Sequence, residues 1–227
     1  MKFLPIYEGG LICSTTKDLS NFRLSPPSLA YQLKSAINCL ELSVSYGRWK
    51  VLGQFFNIIF RIKDSFWTYI KSKRAIPNKL GPSSSEGAFN LDEDWIHKTM
   101  SWFSQWIVRN APLGYIAEQR RQNYKILNSS LSDLPNCHSL MPKLPEHTVP
   151  WVFPLYVDNP EKYFHALRRQ GIPVLRFGEF LDSSVNEQVC PVSVEYSKHV
   201  FQFPCHQSLT PAEMDWMLKK IKLTFSQ

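Results

Sequence analysis

Residues 159–177 read NPEKYFHALRRQGIPVLRF, and no other stretch restricts the fold as much. Asn159 is a good N-cap, and Pro160 has the fixed φ that suits a first helical position. Arg168 and Arg169 complement the dipole of the last turn, and Gly171 stands where a helix stops. The strand-like PVLRF follows at once. A helix marked at both ends and joined directly to a strand commits the C-terminal third to an α/β arrangement. The flanking segments agree. VPWVFPLYV is strand-like, and Pro154 predicts an edge or irregular strand because proline offers no ladder donor. Later, HVFQF reads as a strand, and T-P-A-E is a capping box, Thr210 with Glu213, opening a last helix that runs to about Phe225. The order is β-α-β, loop, β-α.

Upstream the pattern is mostly helical. Leu29, Leu33, Ile37, Leu40 and Val44 recur near the helical period over 29–46. Residues 49–73 read as a second helix, apolar and basic. Residues 74–89 hold Pro77, Gly81, Pro82 and three serines and read as a loop. Two further helices are expected over about 92–109 and 111–129, then a Pro-rich stretch over 135–150. Gly10–Thr15 reads as a short buried strand. An apolar fraction of 44% is enough for a globular core.

The net charge of +7 is unevenly placed. Residues 23–79 carry ten Lys or Arg against only Glu41 and Asp64. One segment holds the whole excess, which argues against a chain built to bind nucleic acid. Within 44–74, Trp49, Phe55, Phe56, Ile59, Phe60, Phe66 and Trp67 alternate with basic residues. That suits either a core or dimer-interface helix or contact with an anionic membrane surface. The N-terminus MKFLPIYEGG has no apolar run of signal-peptide length. The five cysteines are odd in number and form no C-x-x-C pair, which fits a reducing, cytoplasmic setting. The six histidines show no metal-ligand spacing, so no metal is expected.

Two stretches look familiar together. The first is K-F-L-P-I-Y-E-G-G-L-I, in which Lys2 is followed six residues later by Glu8-Gly9-Gly10. The second comprises R-R-Q-N-Y-K-I-L, W-V-F-P-L-Y-V, R-R-Q-G-I-P-V and the closing F-P-C-H-Q-S-L-T-P-A-E-M-D-W-M. Over residues 2–14 and about 115–224 the chain resembles the DegT/DnrJ/StrS family of sugar aminotransferases, pyridoxal-phosphate enzymes of fold type I. Residues 23–90 have no close counterpart in it. The resemblance implies the end of a fold type I large domain, long helices, and a C-terminal α/β small domain whose short, mostly antiparallel sheet is packed by helices. It divides the chain into 1–22 as a remnant of the cofactor domain, 23–90 as a basic amphipathic segment, and 91–227 as the small domain. It implies that Lys2 is the Schiff-base lysine, both catalytic and cofactor-binding. The substrates would be glutamate and a nucleotide-linked keto-sugar. Taken alone, a lysine at position two is ordinarily a solvated terminal residue.

The family's cofactor cradle precedes such a lysine, so the chain is expected to be a C-terminal portion, inactive alone, working as a homodimer or with a complementing N-terminal portion. The alternative is a non-catalytic interaction or membrane-surface module. His206, in the closing signature, either approaches substrate or is a hydrogen-bonded loop histidine. Arg176 either meets a substrate phosphate or carboxylate or is an exposed strand residue. Arg120 and Arg121 with Tyr124 read as a solvated helix face plus a core contact. Asp92, Glu93 and Asp94 read as charges at a helix start.

Overall fold

A computed structural model describes residues 3, 4, 6, 8–19, 23–45 and 96–226. Lys2, the expected helix 49–73, the loop 74–89 and the acidic run Asp92 to Asp94 lie outside the described residues, as does nearly all of 44–74. The described chain falls into two compact units, one holding 3–45 and 96–111, the other 112–226.

The first unit contains helix α1, Leu29–Ser45, packed on helix α2, Trp102–Asn110. Helix α1 forms where its periodicity places it, but it buries the other side. Ser35 and Cys39 are buried, whereas Leu29, Leu33 and Ile37 are exposed. Gln32 on the same inner side accepts from the Trp102 N–H at 3.3 Å. Helix α2 begins ten residues later than the pattern suggests. Ser101 is its N-cap, accepting from Ser104 N, and Lys98 bridges Ser25 in parallel, with Ser25 N donating to His97 O and Thr99 N to Ser25 O, each at 2.8 Å. The expected strand Gly10–Thr15 is absent. Leu11 and Ile12 are exposed and no described strand pairs with them.

The second unit opens with helix α3, Leu113–Leu131, then strands β1, Cys137–Ser139, and β2, Val152–Val157. Helix α4, Pro160–Arg169, strand β3, Leu175–Arg176, helix α5, Pro191–His199, strand β4, Val200–Pro204, and helix α6, Pro211–Phe225, complete it. The sheet is antiparallel throughout, in the order β1-β2-β4-β3. Burial alternates along β2, with Phe153, Leu155 and Val157 pointing into the core. There they meet Phe201 and Phe203 of β4 and the inner faces of α3, α4 and α6. Tyr124 packs edge-on against Phe153 at 5.0 Å, and Tyr163 stacks on Phe225 at 4.3 Å.

Local signals fare best here. Helix α4 starts at Pro160 and ends into Gly171 at φ +84°, a conformation that favours glycine. Thr210 and Glu213 form the full capping box of α6. Three features differ. Strand β1 arises inside the Pro-rich stretch, and α5 arises inside the expected loop. Strand β2 is internal rather than an edge. Leu140 N donates to Pro154 O at 3.4 Å, so residue 154 turns its backbone groups toward the β1 side, just past the last β1 residue. The missing proline N–H therefore takes nothing from the β2–β4 ladder.

Candidate functional site

Glu8 of the Glu-Gly-Gly motif is held through its carboxylate. Glu8 Oε1 accepts from Ser101 Oγ at 2.6 Å, Ser104 Oγ at 2.7 Å, Ser35 Oγ at 3.1 Å and Ser101 N at 3.2 Å. The three serines are fully buried. They come from α1, from the N-cap of α2 and from its first turn, so one side chain ties three segments together. A carboxylate at a helix start also complements the dipole. Burial is the largest single influence on Glu8 and works against its charge. The hydrogen bonds from Ser101, Ser104 and Ser35 together outweigh it and hold the carboxyl below its ordinary value.

The next residue is fixed by sterics. Gly9 has φ +86°, and a Cβ there would lie 2.5 Å from Met100 Cβ. Gly10 has open space around it. The Glu-Gly pair is thus a docking device, and only the first glycine is sterically demanded.

Pyridoxal phosphate, which the resemblance implies, needs donors for its phosphate and an acid beside its ring nitrogen. Ser35, Ser101, Ser104 and the Ser101 N–H are donors of a suitable kind at a helix start, but Glu8 occupies all four. This cluster therefore does not fit the group. Among the described residues there is also no cluster of three His, Cys, Asp or Glu placed to hold a metal.

Arg176 and His206 both belong to the second unit, and the sheet keeps them apart. Arg176 pairs with Phe201 near the start of β4, whereas His206 lies beyond its end. Arg176 is not an exposed strand residue. Its Nη2 lies 2.8 Å from Glu161 Oε1, and its guanidinium sits 4.3 Å from the Phe164 ring centroid. The His206 carbonyl accepts from Asn123 Nδ2 at 2.9 Å and from Leu209 N at 3.2 Å. Its position is therefore set by α3.

Arg120 is the residue whose charge misleads. It is fully buried, not solvated. Its Nη1 donates to the carbonyls of Pro150 and Trp151 at 3.1 and 3.2 Å, and its Nε donates to Gln207 Oε1 at 2.9 Å. It thereby joins the entry to β2 to the turn that carries His206. A signal was present: Ile116, Arg120, Asn123, Tyr124, Leu127 and Leu131 share one helical face. Arg121, by contrast, reaches the carbonyls of Pro145 and Thr148 from a more exposed position.

No protein-family model and no curated protein matches the chain. Solved structures do resemble it, over half of its length or somewhat more, and aminotransferases are among them. A DegT DnrJ EryC1 StrS aminotransferase from Brucella abortus gives a TM-score of 0.48 at 17% identity, covering 65% of this chain and 42% of that one. The Helicobacter pylori aminotransferase PseC, involved in pseudoaminic acid biosynthesis, gives 0.44 at 14%, covering 54% and 36%. The sugar aminotransferase Spr1654 from Streptococcus pneumoniae, in its PMP form, gives 0.45 at 14%, covering 54% and 33%. The chain thus spans between a third and just over two-fifths of the length of these structures. The likeness is one of partial fold; the functional reading has to come from the chain's own residues.

Proposed function

We propose that this chain is the C-terminal part of a cytoplasmic, pyridoxal-phosphate-dependent aminotransferase acting on nucleotide-linked keto-sugars for amino-sugar and polysaccharide synthesis. The observation that supports this reading is the anchoring of Glu8 and Gly9, downstream of Lys2 in the Glu-Gly-Gly motif. Lysine chemistry of this kind needs an amine whose backbone is held in one direction. Glu8, with four hydrogen bonds, and Gly9, whose added Cβ would meet Met100, anchor the chain six and seven residues downstream of Lys2. In this reading Lys2 supplies the amine nucleophile and carries the proton. The reading gives His206 and Arg176 separate sugar-side roles at the two ends of β4, and Arg176 reaches an anionic group by exchanging Glu161 for it.

Because Glu8 takes up the serine donors of its cluster, the reading assigns the phosphate cradle to a complementing N-terminal portion or to the other subunit of a homodimer. The chain alone is expected to be inactive. The test is complementation. The chain is mixed or fused with the N-terminal half of the Brucella abortus enzyme, then given pyridoxal phosphate and borohydride. A visible band that reduction bleaches, with the pyridoxyl mass on the Lys2 peptide and its loss in Lys2→Ala, supports the assignment. Label spread evenly over surface lysines, unchanged in Lys2→Ala, overturns it.

A further inference from the structure

We infer that Arg176 is the core of a phosphate-binding site that the chain holds closed with its own Glu161, which rests on the aminotransferase reading and deepens the role given there to Arg176. The Arg176 side chain is only 12% exposed. Its Nη2 lies 2.8 Å from Glu161 Oε1, but the contact is an ion pair without hydrogen-bond alignment. Neither Nη2 nor Nε has a hydrogen-bond partner among the described residues, and both atoms are buried. These two nitrogens form the guanidinium edge that grips an oxyanion with two parallel N–H groups. A buried donor without an acceptor is costly, and two on one edge call for an occupant. The Glu161 side chain, by contrast, is 72% exposed. An ion pair with so wet a partner is weak, so the carboxylate is the part that can leave.

The neighbours set the charge of the occupant. Arg168 and Arg176 share one ring, their guanidinium carbons lying 5.8 and 4.3 Å from the Phe164 centroid. His165 Nε2 stands 3.8 Å from the other Glu161 oxygen, Oε2. Residues 161, 164, 165 and 168 fall on one side of α4, as their spacing requires. Phe164 is buried and packs edge-on against Phe201 of β4 at 5.4 Å, so the sheet fixes the platform under the arginines. With Glu161 swung away, two guanidiniums and an imidazole remain. Such a cluster favours a phosphate dianion over a singly charged carboxylate, because a phosphate has more oxygens and more charge to share among them. The phosphate can belong to a nucleotide-linked substrate or be free in solution.

The experiment is isothermal titration of the intact chain, without pyridoxal phosphate, using pyrophosphate, uridine diphosphate and acetate. We expect Glu161→Gln to bind pyrophosphate about tenfold more tightly than the wild type, with little acetate binding in either. Arg176→Lys keeps the charge but loses the fork, and should lower the affinity about tenfold. Glu118→Gln makes the same charge change on the exposed side of α3 and should alter nothing. Uridine diphosphate binding more tightly than pyrophosphate supports the site with a nucleotide as the source; equal affinities support it with free phosphate as the source. A Glu161→Gln chain that binds pyrophosphate no better than the wild type overturns the inference. So does a gain matched by Glu118→Gln, or unchanged binding in Arg176→Lys. Lys2 takes no part in this titration, so its failure is distinct from failure of the complementation test.

Discussion

The Ser101 hydroxyl caps helix α2 and also donates to Glu8 at 2.6 Å, so an N-terminal carboxylate completes the start of a helix more than ninety residues away. The folded Glu8 carboxyl sits below its ordinary value. Its contribution to stability is therefore full above the unfolded value of about 4.3. It is lost as pH falls through the lower folded value. Urea unfolding followed by the fluorescence of Trp102 and Trp106 should show this loss in the wild type and not in Glu8→Gln. Parallel pH curves for the two proteins would refute it. Ser101→Ala should cost about 1 kcal/mol at neutral pH by the same readout.

The two glycines of the Glu-Gly-Gly run should respond oppositely to alanine. Gly9→Ala adds a Cβ that meets Met100 and forces a left-handed conformation on a residue that resists it, a loss of about 1–3 kcal/mol. Gly10→Ala meets nothing and should be neutral or stabilising by up to about 1 kcal/mol, through the unfolded chain. Denaturant midpoints of the two variants decide this. Equal effects would mean that Gly9 is not held against Met100 in a left-handed conformation.

Arg120→Ala removes a buried cation and leaves two carbonyls and Gln207 short of a donor. Such a change should destabilise the second unit by about 3 kcal/mol. Arg120→Lys should recover only part of this, because one ammonium lacks the planar fork that serves three acceptors. Full recovery by lysine would show that charge alone matters.

Cysteine reactivity should separate by environment. The Cys190 thiol lies 3.0 Å from Ser193 Oγ at the start of α5, and that hydrogen bond together with backbone N–H groups lowers its pKa. Burial pushes Cys137 up to about 11 and Cys205 up to about 12, the latter despite the nearby Arg120 charge. At neutral pH the thiolate fraction of Cys205 should be roughly a thousandfold below that of an ordinary thiol. Timed iodoacetamide labelling read by mass spectrometry should modify Cys190 well before Cys137 and Cys205. Comparable rates for the three would contradict the burial of Cys137 and Cys205.

Legibility followed the range of the signal. Asn159, Pro160 and Gly171 bound α4, and Thr210 with Glu213 starts α6, because helix ends are decided by neighbours a few residues away. Strand β1 is hidden because three residues carry no periodicity, and pairing with β2 alone makes them a strand. The apolar period of α1 announces a helix, but its buried side is chosen by Glu8 and Ser101, far off in sequence. Arg120 is misleading for the opposite reason. Its charge suggests solvent, yet it stands on an apolar face and its carbonyl partners lie thirty residues on. At the candidate site, the Glu8–Gly9 run is visible as a motif, while its three serine partners are not.

The central ladder of the sheet has a consequence for how the protein is made. Strands β2 and β4 are paired from Val152 with Pro204 to Tyr156 with Val200, so their partners are roughly fifty residues apart along the chain. Helices α3 and α4 make only local backbone bonds, but Phe153 and Leu155 have no sheet neighbour on that side until β4 emerges. At ordinary synthesis speeds this leaves the apolar face of β2 uncovered for several seconds. During that interval a nascent chain is exposed to chaperones and to wrong partners, and slowing translation between Val157 and Val200 should raise the aggregated fraction.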